Sequence, residues 1–158
     1  MSTGRDLRWV DAAGELPSLS GAYALHIVLD KPARLPPRWP GLRMDAGEYL
    51  YFGSAKGPGG IRARCARHFR AGKKRHWHVD WLTVAATGLR AAAFPDASEC
   101  DLTARALEVP GVSIPVDGFG SSDCRCCKAH LLALPPQFGA LFSDSILNRV
   151  TLFAHNTP

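Results

Sequence analysis

No stretch of the sequence approaches the roughly eighteen consecutive apolar residues that a membrane-crossing helix needs. The opening residues MSTGRDLRW lack the apolar segment of a secretory signal, so a cytoplasmic protein with no membrane partner is expected. No fixed-period repeat and no low-complexity tract is present, which excludes solenoids and fibrous arrays. Nor is the chain poor in apolar residues or overloaded with charge: hydrophobic residues make up 46% and charged residues 21%, far from the composition of a disordered chain. Its 158 residues suffice for one substantial core. Five cysteines, an odd number, make a poor disulfide framework and suit thiols that are free or metal-bound. Acids are missing where bases concentrate. The net charge is +5, and from Arg62 to Arg75 there are seven basic side chains (Arg62, Arg64, Arg67, Arg70, Lys73, Lys74, Arg75) without one acid. Such a run is either a solvated face or a surface for a polyanion.

Residues 21–30, GAYALHIVLD, carry the β-branched and aromatic content of a strand, and 48–54, EYLYFGS, form a second. The stretch between them holds four of the twelve prolines, which remove backbone donors and prevent any long regular element. The two strands are therefore expected to pair antiparallel across a proline-rich excursion. GPGG at 57–60 breaks the chain before IRARCARHFRAG, where Ile61, Cys65 and Phe69 recur as the buried stripe of a helix ending near Gly72. Residues 76–86 read as a second helix with Trp77, Trp81 and Leu82 facing inward, with a strand the alternative that their β-branched content leaves open, and 89–95 read as a third strand. Ser98 is a good N-cap for a helix over ECDLTARALE. The order β-β-α-α-β-α predicts an α+β domain, a small and mostly antiparallel sheet flanked by helices. Its core is expected over 18–110, with 111–158 as a Cys-rich extension packed on it. Within the extension, VSIPVDGFGSSDCRCCKAHLLAL reads as a short strand, a Gly/Ser turn and a small helix, followed by a final apolar stretch SILNRVTLFA.

Gly21-Ala22-Tyr23, then Tyr51-Phe52-Gly53, then Ile61-x-x-Arg64-x-x-x-His68 resembles the GIY-YIG nuclease superfamily, in which two Tyr-bearing strands precede a helix carrying Arg and often His. The segments YLYFGSA, RCARHF, HWHVDWL, Glu99-Cys100 and FGSSDCRCCKAHL are similar to a branch described as a domain of unknown function and sometimes fused to endonuclease III-type DNA glycosylases. The resemblance covers roughly residues 20 to 135. Ala22 and Phe52 stand where the superfamily has isoleucines, and the spacer between the tyrosines is longer than usual.

The resemblance implies a metal-dependent endonuclease whose catalytic residues are Tyr23, Tyr51, Arg64, His68 and Glu99. Hydrolysing a phosphodiester requires an activated water, a divalent cation, and a positive charge near the developing oxyanion. Glu99 matches the family's metal-binding glutamate, and oxygen ligation suits Mg²⁺ or Mn²⁺. Arg64 matches the phosphate-contacting arginine, whose planar donor fork fits phosphate oxygens. His68 lies one helical turn later, on the same face, where it can take a proton from Tyr23 or position the water. One tyrosine is implied to activate water and the other to orient the phosphate, with Tyr23 the preferred activator. A phenol of pKa about 10 suits that task only if Arg64 and a metal lower it.

Beyond that set, His76, Trp77, His78 and Asp80 form a second cluster, in which His76 and Asp80 are expected one turn apart on a helix. Arg62, Arg67, Arg70, Lys73, Lys74, Arg75, His76 and His78 are the expected DNA contacts. In the Cys-rich segment Cys124, Cys126 and His130, with Cys100 approaching from the preceding helix, make a Cys₃His set for a structural zinc; buried thiols acting as small hydrophobes are the alternative. A nucleic acid, DNA first, is the expected partner, and fusion of similar sequences to glycosylases suggests a role in repair. Two other functions fit the same residues: a non-catalytic nucleic-acid binding module, and a zinc-stabilised domain docking on a repair enzyme.

Overall fold

A computed structural model of the chain describes residues 7–122, 124–136 and 145–150. Its centre is β1 (Gly21–Leu29), buried on both faces because elements pack on each side of it. Odd positions Tyr23, Leu25 and Ile27 enter one core, and even positions Ala22 and Ala24 enter a second on the opposite face, as the period-two geometry of a strand requires. A minimal hairpin of β2 (Ala33–Arg34) and β3 (Arg43–Met44) is all the regular structure in the proline-rich excursion, after which β4 (Gly47–Ala55) returns antiparallel to β1 in a register of Tyr23 opposite Gly53.

The helices α1 (Gly60–Phe69) and α2 (Asp80–Ala85) follow. Ile61, Cys65 and Leu82 bury in the first core. The next strand, β5 (Gly88–Pro95), pairs with the other edge of β1, and α3 (Glu99–Leu107) places Leu102 and Ala106 in the second core, where Ile146, Leu147 and Val150 of helical residues 145–150 join them. With β6 (Leu131–Ala133) beside β4, the sheet runs β5-β1-β4-β6, antiparallel throughout, so the expected α+β class holds. Ser98 caps α3, its side chain accepting from the Cys100 N–H as the sequence suggests. Among the described residues, no helix is long and apolar enough to cross a membrane.

Three expectations need correction. First, the helix expected over 76–86 begins only at Asp80. The Asp80 carboxylate accepts the backbone N–H of His76 at 2.7 Å and of Trp77 at 2.8 Å, so the first side chain of α2 reaches back to hold the preceding segment, and 77–79 form a bend and turn. His76 and Asp80 are therefore joined through the backbone and not across a helix face. Trp77 packs against the core, while Trp81 is only half-buried with Arg75 above its ring. Second, KAHLLAL contains a strand and not a small helix. The exposed ladder of β4 pairs with it, and alternation sends Leu131 to one core and Leu132 and Leu134 to the other. Third, the short strand expected ahead of the Gly/Ser turn is reduced to a single bridge between Ser113 and Ala133. In the final apolar stretch, residues after 150 lie outside the described ones.

Candidate functional site

At one end of the sheet a cavity of about 590 Å³ opens, and Tyr23, Tyr51, Arg64 and Glu99 all line it. Four separate elements supply them: β1, β4, α1 and the first turn of α3. Close approach of β1 and β4 depends on Gly53, where an added Cβ would lie 2.3 Å from the Tyr23 phenol. Glycine at that position is what leaves room for the ring to cross the strand.

His68, the fifth expected catalytic residue, stands behind the cavity wall, only 1% exposed. Its Nε2 lies 2.7 Å from the Tyr23 hydroxyl. Burial, reinforced by the positive charge of Lys73, lowers the imidazole to about 3, so it is neutral near pH 7. Burial also raises Tyr23 well above the ordinary phenol value and Tyr51 to about 12. Arg64 pulls both phenols in the lowering direction, as expected, but desolvation is larger and the net shift is upward. With phenol protonated and imidazole neutral, the hydroxyl donates to Nε2, a tautomer assigned from this contact. Nδ1 of His68 is buried without a hydrogen-bond partner.

Asp80, fully buried, organises the wall between α1 and α2. Besides the two backbone donors it receives both terminal nitrogens of Arg67, at 2.9 and 2.8 Å, and these partners hold its carboxyl down at about 2 despite burial. Arg67 in turn lies 3.9 Å from the Trp77 ring centre and Arg64 4.6 Å from it, so one indole orders two guanidiniums, of which Arg64 faces the cavity. Across the opening, His78 accepts from the Gly120 N–H at 3.0 Å and meets Trp39 edge-on at 4.9 Å.

The seven basic residues divide by what holds them. Arg62 donates to the Leu16 carbonyl, Arg67 is committed to Asp80, and Lys73 reaches the His68 carbonyl at the end of α1. Arg64 lines the cavity, whereas Arg70, Lys74 and Arg75 are exposed beyond the helix end. His76 and His78 line the cavity as well.

Cys100, Cys124 and His130 come together as the sequence suggests, but the fourth member is Cys127 and not Cys126. The four ligand atoms lie within 4.8 Å of one another, and the set can hold a metal ion. In the turn after Ser121 the Cys127 N–H donates to the Cys124 sulfur, which folds the C-x-x-C pair onto one side and leaves Cys126 exposed. The spacing Cys124-x-x-Cys127 was the available signal. Zinc would take such a set as a closed four-ligand site, since three soft thiolates and one imidazole match its preference. Among the described residues no carboxylate belongs to the cluster, and Glu99 is the one acidic oxygen donor that lines the cavity. Sequence reasoning missed Ser54, Gly120, Ser122 and Arg125 as cavity residues. No motif or spacing in the sequence singles them out.

The model of a family described as "Domain of unknown function DUF123" matches residues 22–149, a span that takes in every residue named in the cavity. No curated protein and no solved structure matches the chain.

Proposed function

The chain belongs to the DUF123 family, and we propose that it is a metal-dependent endonuclease of the GIY-YIG type that hydrolyses a nucleic-acid phosphodiester, with DNA the first substrate to test and repair the setting. One observation carries the reading: Tyr23, Tyr51, Arg64 and Glu99, from four elements, converge on one cavity, and exposed Arg70, Lys74 and Arg75 lie in the segment between α1 and His76, which lines it. Mg²⁺ or Mn²⁺ held by Glu99 would supply charge neutralisation and a polarised water when bound. Arg64, aimed by Trp77, presents parallel donors to the non-bridging phosphate oxygens, and its charge meets the negative charge that grows there. Tyr51 orients the phosphate through its hydroxyl. Tyr23 takes a proton from the attacking water while its own proton passes to Nε2 of His68, a transfer that needs the imidazole neutral beforehand. The new P–O bond forms from water, the P–O bond to the leaving strand breaks, and that oxygen takes up a proton from solvent.

The second cation of the reading is Zn²⁺ in the Cys100, Cys124, Cys127 and His130 set, structural because all four positions are protein ligands. The test of the function is cleavage of duplex, flap, bubble, abasic and single-stranded DNA with Mg²⁺ or Mn²⁺. At least one substrate should be cut by wild type, and Arg64→Ala should lose most of the rate. If wild type cuts none of them, a non-catalytic binding module takes the place of the enzyme.

A further inference from the structure

The thiol–imidazole cluster sits where three parts of the cavity wall meet. Cys100 follows Glu99 directly in the first turn of α3. Cys124 and Cys127 come from the loop over 118–130, and His130 immediately precedes β6. That loop is tied back to the catalytic strands at several points. The Phe52 N–H, one residue after Tyr51, donates to the His130 carbonyl at 3.1 Å, and the His130 N–H donates to the Phe119 carbonyl at 2.9 Å. Gly120 holds His78 through its N–H, and a Cβ at Gly120 would stand 2.7 Å from the Tyr51 ring, so only glycine lets the loop lie against that phenol.

The distances also suit an ion. Cys100 Sγ is 3.4 Å from Cys124 Sγ and 3.8 Å from His130 Nε2. Tetrahedral zinc with Zn–S about 2.3 Å and Zn–N about 2.0 Å spaces such atoms by about 3.5 to 3.8 Å. Small movements would bring these ligands into place.

We propose that Cys100, Cys124, Cys127 and His130 bind one Zn²⁺ that acts as a strut for the neighbouring cavity, tying the turn that carries Glu99 to the loop that covers Tyr51 and holds His78. The ion does no chemistry on substrate. It joins a ligand in α3 to three in the 118–130 segment, so metal loss releases the Glu99 turn and the Gly120 backbone together. The catalytic consequence rests on the endonuclease reading above; metal binding and the order of the wall do not.

Cys127 does not line the cavity, so what its loss does there must run through the metal or through packing. The experiment compares the full chain with Cys127→Ser, Cys127→His and, as a control, Cys126→Ser. Zinc is measured by elemental analysis, ligation by the thiolate charge-transfer bands of the Co²⁺-substituted protein, and wall order by hydrogen-exchange protection of the Gly120 amide. DNA cleavage and DNA affinity complete the set. Wild type and Cys126→Ser should carry about one zinc per chain. Cys127→Ser should lose the zinc, lose Gly120 protection about tenfold or more, and lose cleavage about a hundredfold, with DNA affinity within a few-fold of wild type. Cys127→His, which restores a ligand but not the shape of a cysteine, should regain zinc and protection; a packing role would not be rescued. If Cys127→Ser does not fold, removal of zinc from wild type with a zinc-selective chelator and its return give the same readouts.

Wild type that carries no zinc and gives no thiolate–cobalt bands overturns the metal site. Zinc lost with Gly120 protection unchanged overturns the strut. Wild type that cuts no substrate, while Cys127→Ser still loses zinc and protection, leaves the strut standing and removes the endonuclease reading instead.

Discussion

Asp80 shows how much of the site one buried carboxylate decides. It is 0% exposed and receives two backbone N–H groups and both terminal nitrogens of Arg67, so its charge is fully engaged. Asp80→Asn keeps an acceptor for the backbone but leaves Arg67 without its counter-charge. Breaking one side of a buried pair costs about 3 kcal/mol. Urea denaturation should show a loss of that order, and a loss under about 1 kcal/mol would mean that Arg67 finds water instead.

His68 gives the chain a pH signature with a definite sign. Its folded value of about 3 lies below the ordinary 6.5, so between those limits the unfolded chain binds a proton that the folded one refuses. Stability is then full above pH 6.5 and declines as pH falls toward 3, by about 1.4 kcal/mol per unit from this group. His78 is also lowered, chiefly by burial, and adds in the same direction. Asp80, depressed to about 2, adds only below its ordinary carboxylate value. The check is the difference between stability–pH curves of wild type and His68→Gln, which should be flatter between pH 6.5 and 4; superimposable slopes would contradict a neutral buried imidazole. Gly53→Ala belongs to the same scale: with 2.3 Å to the Tyr23 phenol, the added methyl should cost about 1 to 3 kcal/mol and displace the ring from His68. The ring current of Tyr23 on His68, read by NMR, reports it.

Among the elements, α1 carries both the buried relay and the charge. Ile61, Cys65 and His68 face inward, and the helix closes with Lys73 on the His68 carbonyl, so the positive run ends as an exposed segment and not as further helix. Replacing exposed Arg70, Lys74 and Arg75 by Ala should weaken DNA binding and reduce the slope of log affinity against log salt by up to about 3, since each phosphate contact releases about one counterion. An unchanged slope would return these residues to a solvated face.

The elements also show where local sequence suffices. Strands β1, β4 and β5 and helices α1 and α3 were legible because their periodicity, the Gly-rich break and the Ser98 cap are local signals. The short α2 and the strand β6 were not. Asp80 reaches back to hold the segment before α2, and Leu131–Ala133 becomes a strand only because the ladder of β4 is there to pair with it.

At the scale of the whole molecule, two cores on opposite faces of one sheet fix the ends of four elements around a single cavity. Tyr23, Tyr51, Arg64 and Glu99 were readable as a set only through a family resemblance, since each alone is an ordinary strand or helix residue, and the structure brings them together. Their surroundings were not readable. The elevation of both phenols follows from burial, which sequence does not measure, and the choice of Cys127 over Cys126 follows from the direction of one turn.

The central claim is that Glu99 holds a cation for phosphodiester cleavage, and one comparison tests it most directly: wild type against Glu99→Gln on the preferred DNA substrate with Mg²⁺ or Mn²⁺, each protein also measured for folding and DNA affinity. Gln keeps the shape and removes the charge, so a residue serving only the first turn of α3 would change stability by some tenths of a kcal/mol and leave cleavage alone. The account predicts normal folding, DNA affinity equal to or above wild type, and cleavage reduced by orders of magnitude. A variant that cuts as fast as wild type would contradict it.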